Sequence, residues 1–358
     1  MPYSVLLMGA SYGSLLASKI LFGGHTIHLV CLPAEADLIN AEGFRVRLPV
    51  RGRKEPVVLD SRNLPGTVTA GPAAGVNPKD YDLVGLCMQE PQYRGAGVRE
   101  LLDAVARSRV PCMSIMNMPP LPYLKRVPGL DAEGLKAAYT DATVWENFDP
   151  RCMTLNSPDP QAIRPPDEPV NVLMVTLPTN FKVAKFEDEK STAILRQLAS
   201  DIEDARLDTP EGIIELPVKL KVHKSIFVPL AKWAMLLAGN YRSITKDGLR
   251  TVQEAVHSDL ETSRSVYQFV NDLCVRLGAD PNDLVPFEKY AAAAQSLVRP
   301  ASAARALSNG APNIERADKL VQLIAKQKGL SNPVIDETVA LVDLRLEANR
   351  AKAASTRG

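Results

Sequence analysis

Apolar and polar positions along this chain follow two different periods. Val5-Leu-Leu-Met8 is an unbroken apolar run that stops at Gly9, and a stretch with apolar helical spacing begins at Leu15. An apolar run closed by glycine fits a strand covered on both faces, and the stretch after it fits a helix packed on that strand. Gly23-Gly24 closes the helix, and Thr26 to Leu32 predicts a second strand. Asp82 to Met88 and Val110 to Met116 predict two more, with a helix over Val98 to Val105 between them. Strand, helix and strand in this order predict a parallel sheet with right-handed crossovers. Asp149 to Pro169 is crowded with proline and polar residues and is expected to be a solvated loop between strands around Ala142–Glu146 and Val172–Leu177. Beyond about Pro210 the period becomes helical: Phe227–Ser243, Val252–Leu277, Ile314–Lys328 and Val334–Ala351 predict long helices. The expected architecture is α/β, with a doubly wound parallel sheet over 1–212 and an all-α domain over 213–358. The tail after Arg350 is expected to fray, and no internal repeat is visible.

Composition narrows the function classes. A chain of 358 residues suits two domains better than one core. Lys plus Arg is 42 against 41 for Asp plus Glu, a net charge of +1, so bulk electrostatics points to neither a nucleic acid nor a membrane surface. The apolar runs are too short to cross a bilayer, and strand pattern starts at the N-terminus, so no signal peptide is expected. The five cysteines (Cys31, Cys87, Cys112, Cys152 and Cys274) are scattered, mostly within apolar runs, which predicts reduced core thiols and a cytoplasmic location. The four histidines (His25, His28, His223 and His257) form no ligand spacing with one another or with the cysteines, so no metal is expected.

The first strand-to-helix junction carries the main chemical signal. A turn this tight requires a residue without a Cβ, and the N–H groups opening the helix, with the helix dipole, favour an anion. Gly9-Ala-Ser-Tyr-Gly-Ser14 is a partial match to the Gly-x-Gly-x-x-Gly dinucleotide fingerprint, with Ser11 and Ser14 at the second and third glycine positions and an added Gly13. Gly9, Ala10, Ser11, Tyr12, Gly13 and Ser14 are therefore candidates for holding a pyrophosphate in a Rossmann-like domain. The residues ending the second strand, Cys31-Leu-Pro33, show neither the acid usual for NAD nor an arginine for NADP.

Further landmarks resemble the ketopantoate reductase (ApbA/PanE) family along nearly the whole chain. Tyr81-Asp-Leu-Val-Gly-Leu-Cys-Met-Gln89 is similar to the family's strand ending in a cofactor-facing lysine, with Gln89 or a neighbour in that place. Met116-Asn-Met-Pro119 stands where the family has Gln-Asn-Gly, which puts Asn117 at the carboxyl end of a strand, where open α/β sheets bind ligands. Lys232, Leu236 and Asn240 match the family's Lys, Asn and Asn along one helix at two of three positions. Arg299 to Glu315 is similar to the stretch whose serine and acid hold substrate; Ser302 takes the serine place, and either Asn313 or Glu315 the acidic one.

The resemblance implies a Rossmann domain followed by an all-α domain of the 6-phosphogluconate dehydrogenase type, acting on a small-molecule substrate, and the long apolar C-terminal helices suit a homodimer. It implies a reductase moving hydride from NADPH to a 2-oxo acid like 2-dehydropantoate, with NADH left open. Lys232, Asn240 and Glu315 then form the catalytic group, with Lys232 as general acid; an ammonium both gives a proton and stabilises a forming alkoxide. Asn117, Asn240 and Ser302 bind substrate, and Gln89 and Asn117 join the turn in binding the cofactor. Of the downstream basic residues, Arg45, Arg47, Arg51 and Arg53 suit a charged hairpin face better than a 2′-phosphate site. The departures at Ser11, Ser14 and Leu236 keep two alternatives in play: an imine or bulkier keto-acid reductase, and a dinucleotide-binding homologue without turnover.

Overall fold

β1 (Ser4–Met8) is buried along its last four residues, as a strand covered on both faces must be. In this computed structural model, which describes residues 2–355, it is followed by β2 (Thr26–Val30), β3 (Arg45–Leu48), β4 (Val57–Asp60), β5 (Thr67–Gly71), β6 (Leu83–Leu86) and β7 (Cys112–Ser114). Next come β8 (Met153–Ser157), β9 (Gln161–Ile163), β10 (Val172–Leu177), β11 (Phe181–Ala184), β12 (Leu207–Thr209), β13 (Gly212–Ile214) and β14 (Leu220–His223). The main sheet has eight strands in the order β14-β11-β8-β7-β6-β1-β2-β5. From β5 to β8 every pairing is parallel; β11 runs antiparallel to β8 and carries β14 parallel to itself. Met8 is in register with Val30 on one side and Leu86 on the other. The chain fills β1, β2 and β5 outward before returning to β6, so the sheet changes direction between β1 and β6.

Contacts divide the chain into two units. The first, Met1–Met88, Gln92–Tyr123 and Val144–Pro229, holds the sheets. Its helices include α1 (Gly13–Phe22), α2 (Pro33–Glu42) and α3 (Val98–Ser108). The short α4 (Leu121–Leu124) follows, and then α5 (Glu189–Asp204). Every residue of α1 is buried, so it is a core helix and not an amphipathic one. α2 starts with Pro33 and ends at Gly43 with φ of 70°, the usual stop and start residues. His25 ties α5 to the first strand: its Nδ1 accepts the Tyr3 N–H at 3.0 Å, so Nε2 carries the proton that Asp201 accepts at 3.0 Å.

Two expectations for this unit are corrected. Residues 142–145 form a 3₁₀ turn and no strand. The proline-rich segment 149–169 is not a solvated loop: it contains β8, buried in the main sheet, and β9. β9 belongs to a second sheet, β4-β3-β10-β9. Polar residues hid β8 from the hydrophobic pattern; Thr154 is buried because its hydroxyl bonds the Ala184 carbonyl at 2.6 Å.

The second unit, Gln89–Pro91, Leu124–Thr143 and Leu230–Gly358, is helical. It opens with α6 (Lys232–Met235), a π-helical turn (Leu236–Asn240) and a 3₁₀ turn (Tyr241–Ser243), where one regular helix was expected. α7 (Val252–His257) and α8 (Leu260–Arg276) replace the single helix expected over 252–277. The break has a chemical cause: Asp259 caps α8 by accepting the Thr262 N–H at 3.0 Å. α9 (Phe287–Ala294), α10 (Ser302–Ser308), α11 (Ala317–Gln327) and α12 (Pro333–Ser355) complete the unit. α12 stays helical past Arg350, where fraying was expected; residues 356–358 lie outside the described residues. Among the described residues, no helix is long and apolar enough to cross a membrane.

Candidate functional site

In the first unit, the turn after β1 is built around Gly9. Its φ is +112°, and a Cβ there would meet Met88 Cγ at 2.6 Å, so both backbone and space require glycine. Its N–H is held by the Val30 carbonyl at 2.9 Å. The α1 backbone then turns inward, with Ser14 N–H reaching the Ser11 carbonyl at 3.3 Å. The amides of Ser11, Tyr12 and Gly13 lie ahead of that bond, at the positive end of the helix. Gly13 takes the packing role that the fingerprint gives to its third glycine: a Cβ there would stand 3.1 Å from Cys87 Cβ at the end of β6. Ser14 is therefore free to be a serine; it is buried and bonds the Ala10 carbonyl. Ser11, at the close-approach position, points to solvent.

This turn stands where the sheet changes direction between β1 and β6, the place where open α/β sheets bind ligands. Asn117, half-buried, follows β7 at the same carboxyl edge. Cys87 and Met88, not Gln89, are the residues against Gly9, and the exposed Gln89 groups with the second unit. Arg45, Arg47 and Arg53 are hairpin-face residues, engaged by Asp60 at 3.6 Å, Glu168 at 2.7 Å and Glu211 at 3.0 Å respectively.

In the second unit, Lys232 and Asn240 stand at the two ends of the α6–π segment, both half-buried, while Leu236, Leu237, Ala238 and Gly239 between them are buried. Leu236 is 2% exposed and packs inward, so it offers nothing to a ligand. In a regular α-helix eight residues leave an offset of about 80° between first and last. The wider π turn takes up part of that offset and swings Asn240 toward the side of Lys232. Gly239 permits this: a Cβ there would lie 2.0 Å from Tyr290 Oη, which donates to the Met235 carbonyl at 3.1 Å.

The π turn packs against α7, α8, α10 and α11, and so lies beside the helix whose exposed first residue is Ser302. Tyr241 links it to the acidic stretch: its hydroxyl donates to the Glu315 carbonyl and accepts the Ala317 N–H at 3.0 Å. Burial, reinforced by the Asp318 and Glu315 charges, holds the Tyr241 pKa well above its ordinary value, so it remains a donor. Glu315 itself is buried, with its carboxylate toward the Glu90 N–H at 3.4 Å. Asn313 is half-buried and turned to Arg350 at 3.3 Å. Of the two residues considered for the acidic place, the structure thus sets Glu315 inside and Asn313 toward α12. Glu315 precedes α11 rather than forming its first turn, where the acid is Asp318.

The π turn and Tyr241 were missed from sequence; the only signal was Gly239-Asn240 inside an otherwise helical pattern. Among the described residues no group of three or more His, Cys, Asp or Glu is arranged to hold a metal.

No family model matches the sequence, and no curated protein matches it. Solved structures do. A candidate ketopantoate reductase from Ralstonia solanacearum MolK2 is 14% identical, with a TM-score of 0.69, covering 97% of this chain and 99% of that one. D-mandelate dehydrogenase, solved with NADH and anilino(oxo)acetate, is 13% identical with a TM-score of 0.62 over 97% and 99%. A dimeric ketopantoate reductase from Staphylococcus aureus is 12% identical with a TM-score of 0.60 over 97% and 99%. At these identities the likeness is one of architecture, and it spans both units: the chain carries the fold of the ketopantoate reductases.

Proposed function

We propose that this chain is a nicotinamide-dinucleotide-dependent reductase converting a 2-oxo acid to a 2-hydroxy acid. The observation that carries the reading is the Gly9 turn at the sheet's switch point on a fold whose second unit presents Lys232 and Asn240 across a π turn. The turn fits a dinucleotide: Gly9 and Gly13 clear the space that side chains would fill, and the amides of Ser11, Tyr12 and Gly13 suit a pyrophosphate. When bound, the dinucleotide supplies the hydride. The sheet-bearing unit holds it, with Asn117 completing the cofactor contacts, and the helical unit carries the dimer interface and the substrate groups Lys232, Asn240 and Ser302. Lys232 gives a proton to the ketone oxygen and steadies its negative charge. Asn117 and Asn240 orient the substrate, Ser302 holds its carboxylate, and Glu315 meets the additional hydroxyl group of a 2-dehydropantoate-like acid. The cofactor is NADPH, the location cytoplasmic and the assembly a homodimer. The dimeric S. aureus structure supports the last point, and light scattering tests it.

Titration with NADPH and NADH, then turnover on a panel of 2-oxo acids, tests the reading. Lys232→Ala is expected to lower turnover by about 10²–10⁴-fold with the fold intact. Unchanged turnover of a verified substrate sinks the assignment. A second reading, a bulkier aryl oxo acid with NADH, is favoured by the ligands of the D-mandelate dehydrogenase structure, and the same panel separates the two.

A further inference from the structure

The segment after β8 crosses the carboxyl ends of β1 and β2. At one end the Tyr12 hydroxyl, in the Gly9 turn, donates to the Pro160 carbonyl at 2.7 Å. At the other, Arg164, the residue after β9, pairs through its guanidinium with Glu35 in the first turn of α2. The ends of β1 and β2 are adjacent, since Gly9 N–H bonds the Val30 carbonyl. A dinucleotide with its pyrophosphate on the Gly9 turn therefore lays its adenosine ribose toward Cys31–Glu35, where this fold class discriminates NAD from NADP. A carboxylate there accepts the ribose 2′-hydroxyl and repels a 2′-phosphate; an arginine attracts the phosphate.

Both types of residue are present. Side chains of Arg164 and Glu35 are 29% and 13% exposed, so the pair is partly sheltered yet reachable. Burial pushes the Cys31 thiol up to about 12, with the Glu35 charge adding to this and the Arg164 charge opposing it, which places both charges beside the end of β2. α2 is anchored, because Asn40 exchanges two hydrogen bonds with the Ala70 backbone at 2.8 Å. Leu32, 75% exposed, adds an apolar surface at the same place for a flat ring. Arg45, Arg47 and Arg53 are engaged elsewhere.

We infer that Arg164, steered by Glu35, is the residue that reads the 2′-phosphate of NADPH. An arginine has five N–H donors in a fork, so it can keep one contact with Glu35 while meeting a phosphate with the others. It reaches the ribose end from a distant part of the chain, in place of the arginine that commonly follows β2 in sequence.

The inference rests on the dinucleotide reading, and the test separates the two. NADPH and NADH are titrated by calorimetry into the wild type, Arg164→Gln, Glu35→Gln and the double variant, with thermal unfolding as the fold control. Arg164→Gln is expected to weaken NADPH at least tenfold and NADH less than threefold. The double variant is expected to stay weak for NADPH, because the reader is gone even though the repelling acid is gone too; Glu35→Gln alone is expected to keep NADPH binding. Equal weakening of both nucleotides, unchanged NADPH affinity in Arg164→Gln, recovery of NADPH in the double variant, or a wild type that prefers NADH overturns the assignment to Arg164. A wild type that binds neither nucleotide overturns the dinucleotide reading itself, and this inference with it.

Discussion

Lys19 is a cation inside a core helix, 1% exposed, with its Nζ donating to the Pro217 carbonyl at 3.0 Å. Burial and, after it, the Lys219 charge bring its pKa down to about 7, against the opposing pull of Glu215 and Glu203. The folded pKa is depressed below the unfolded value, so the folded chain releases this proton first as pH rises. The penalty of burying the ammonium is present in full below about pH 7 and is relieved progressively between pH 7 and the unfolded pKa of 10.5. Lys19→Met removes that penalty and is expected to gain more stability at pH 6 than at pH 9, by a difference on the order of 2 kcal/mol. Urea denaturation at the two pH values measures it, and an equal effect at both refutes it. Gly9→Ala combines a positive φ with the Met88 collision and is expected to lower stability by about 1–3 kcal/mol, read in the same experiment.

At the level of elements, the π turn makes a coupling prediction. Gly239→Ala drives a methyl into Tyr290 Oη and breaks its bond to Met235, which is expected to cost about 2 kcal/mol or more. Tyr290→Phe removes the same oxygen, so the double variant should lose clearly less than the sum of the single losses; strict additivity in chemical denaturation contradicts this packing. Legibility from sequence also divides by element. β1 and the Gly9 turn were readable because a strand covered on both faces must be apolar and a tight turn must be glycine, and β2 because its buried positions alternate before the run turns apolar. The α7–α8 break and the π turn were not, because each changes hydrogen-bond partners while leaving the apolar period almost intact. β8 escaped for the opposite reason: Thr154, Asn156 and Ser157 are buried polar residues in a strand, invisible to any reading by hydrophobicity. Within the candidate site, Lys232, Asn240 and Ser302 were proposed from family spacing. Arg164 and Glu35 were not, since only the folded chain brings residues of such separation together.

For the whole molecule, the chain does not fill one unit and then the other. Residues 124–143 belong to the helical unit though they precede the last strands of the sheet. They are held there by Gln327, which donates to the Asp131 carbonyl at 2.8 Å, and by a 3₁₀ segment, Glu133–Ala138, packed on α11 with Leu135 fully buried. A fragment of residues 230–358 is therefore expected to expose the α11 face and bind a hydrophobic dye, and a peptide of residues 124–143 is expected to reverse this. A fragment that folds cooperatively without the peptide contradicts the packing. The sheet unit has the same dependence, since β8, β11 and β14 come after that excursion.

This interleaving bears on how such a protein can be inherited and re-engineered. No single breakpoint in the gene separates a whole sheet unit from a whole helical one, so a one-crossover chimaera with a relative always splits at least one unit between two parents. Exchange of one unit's properties between members of this fold then calls for point changes or several crossovers, not for swapping halves.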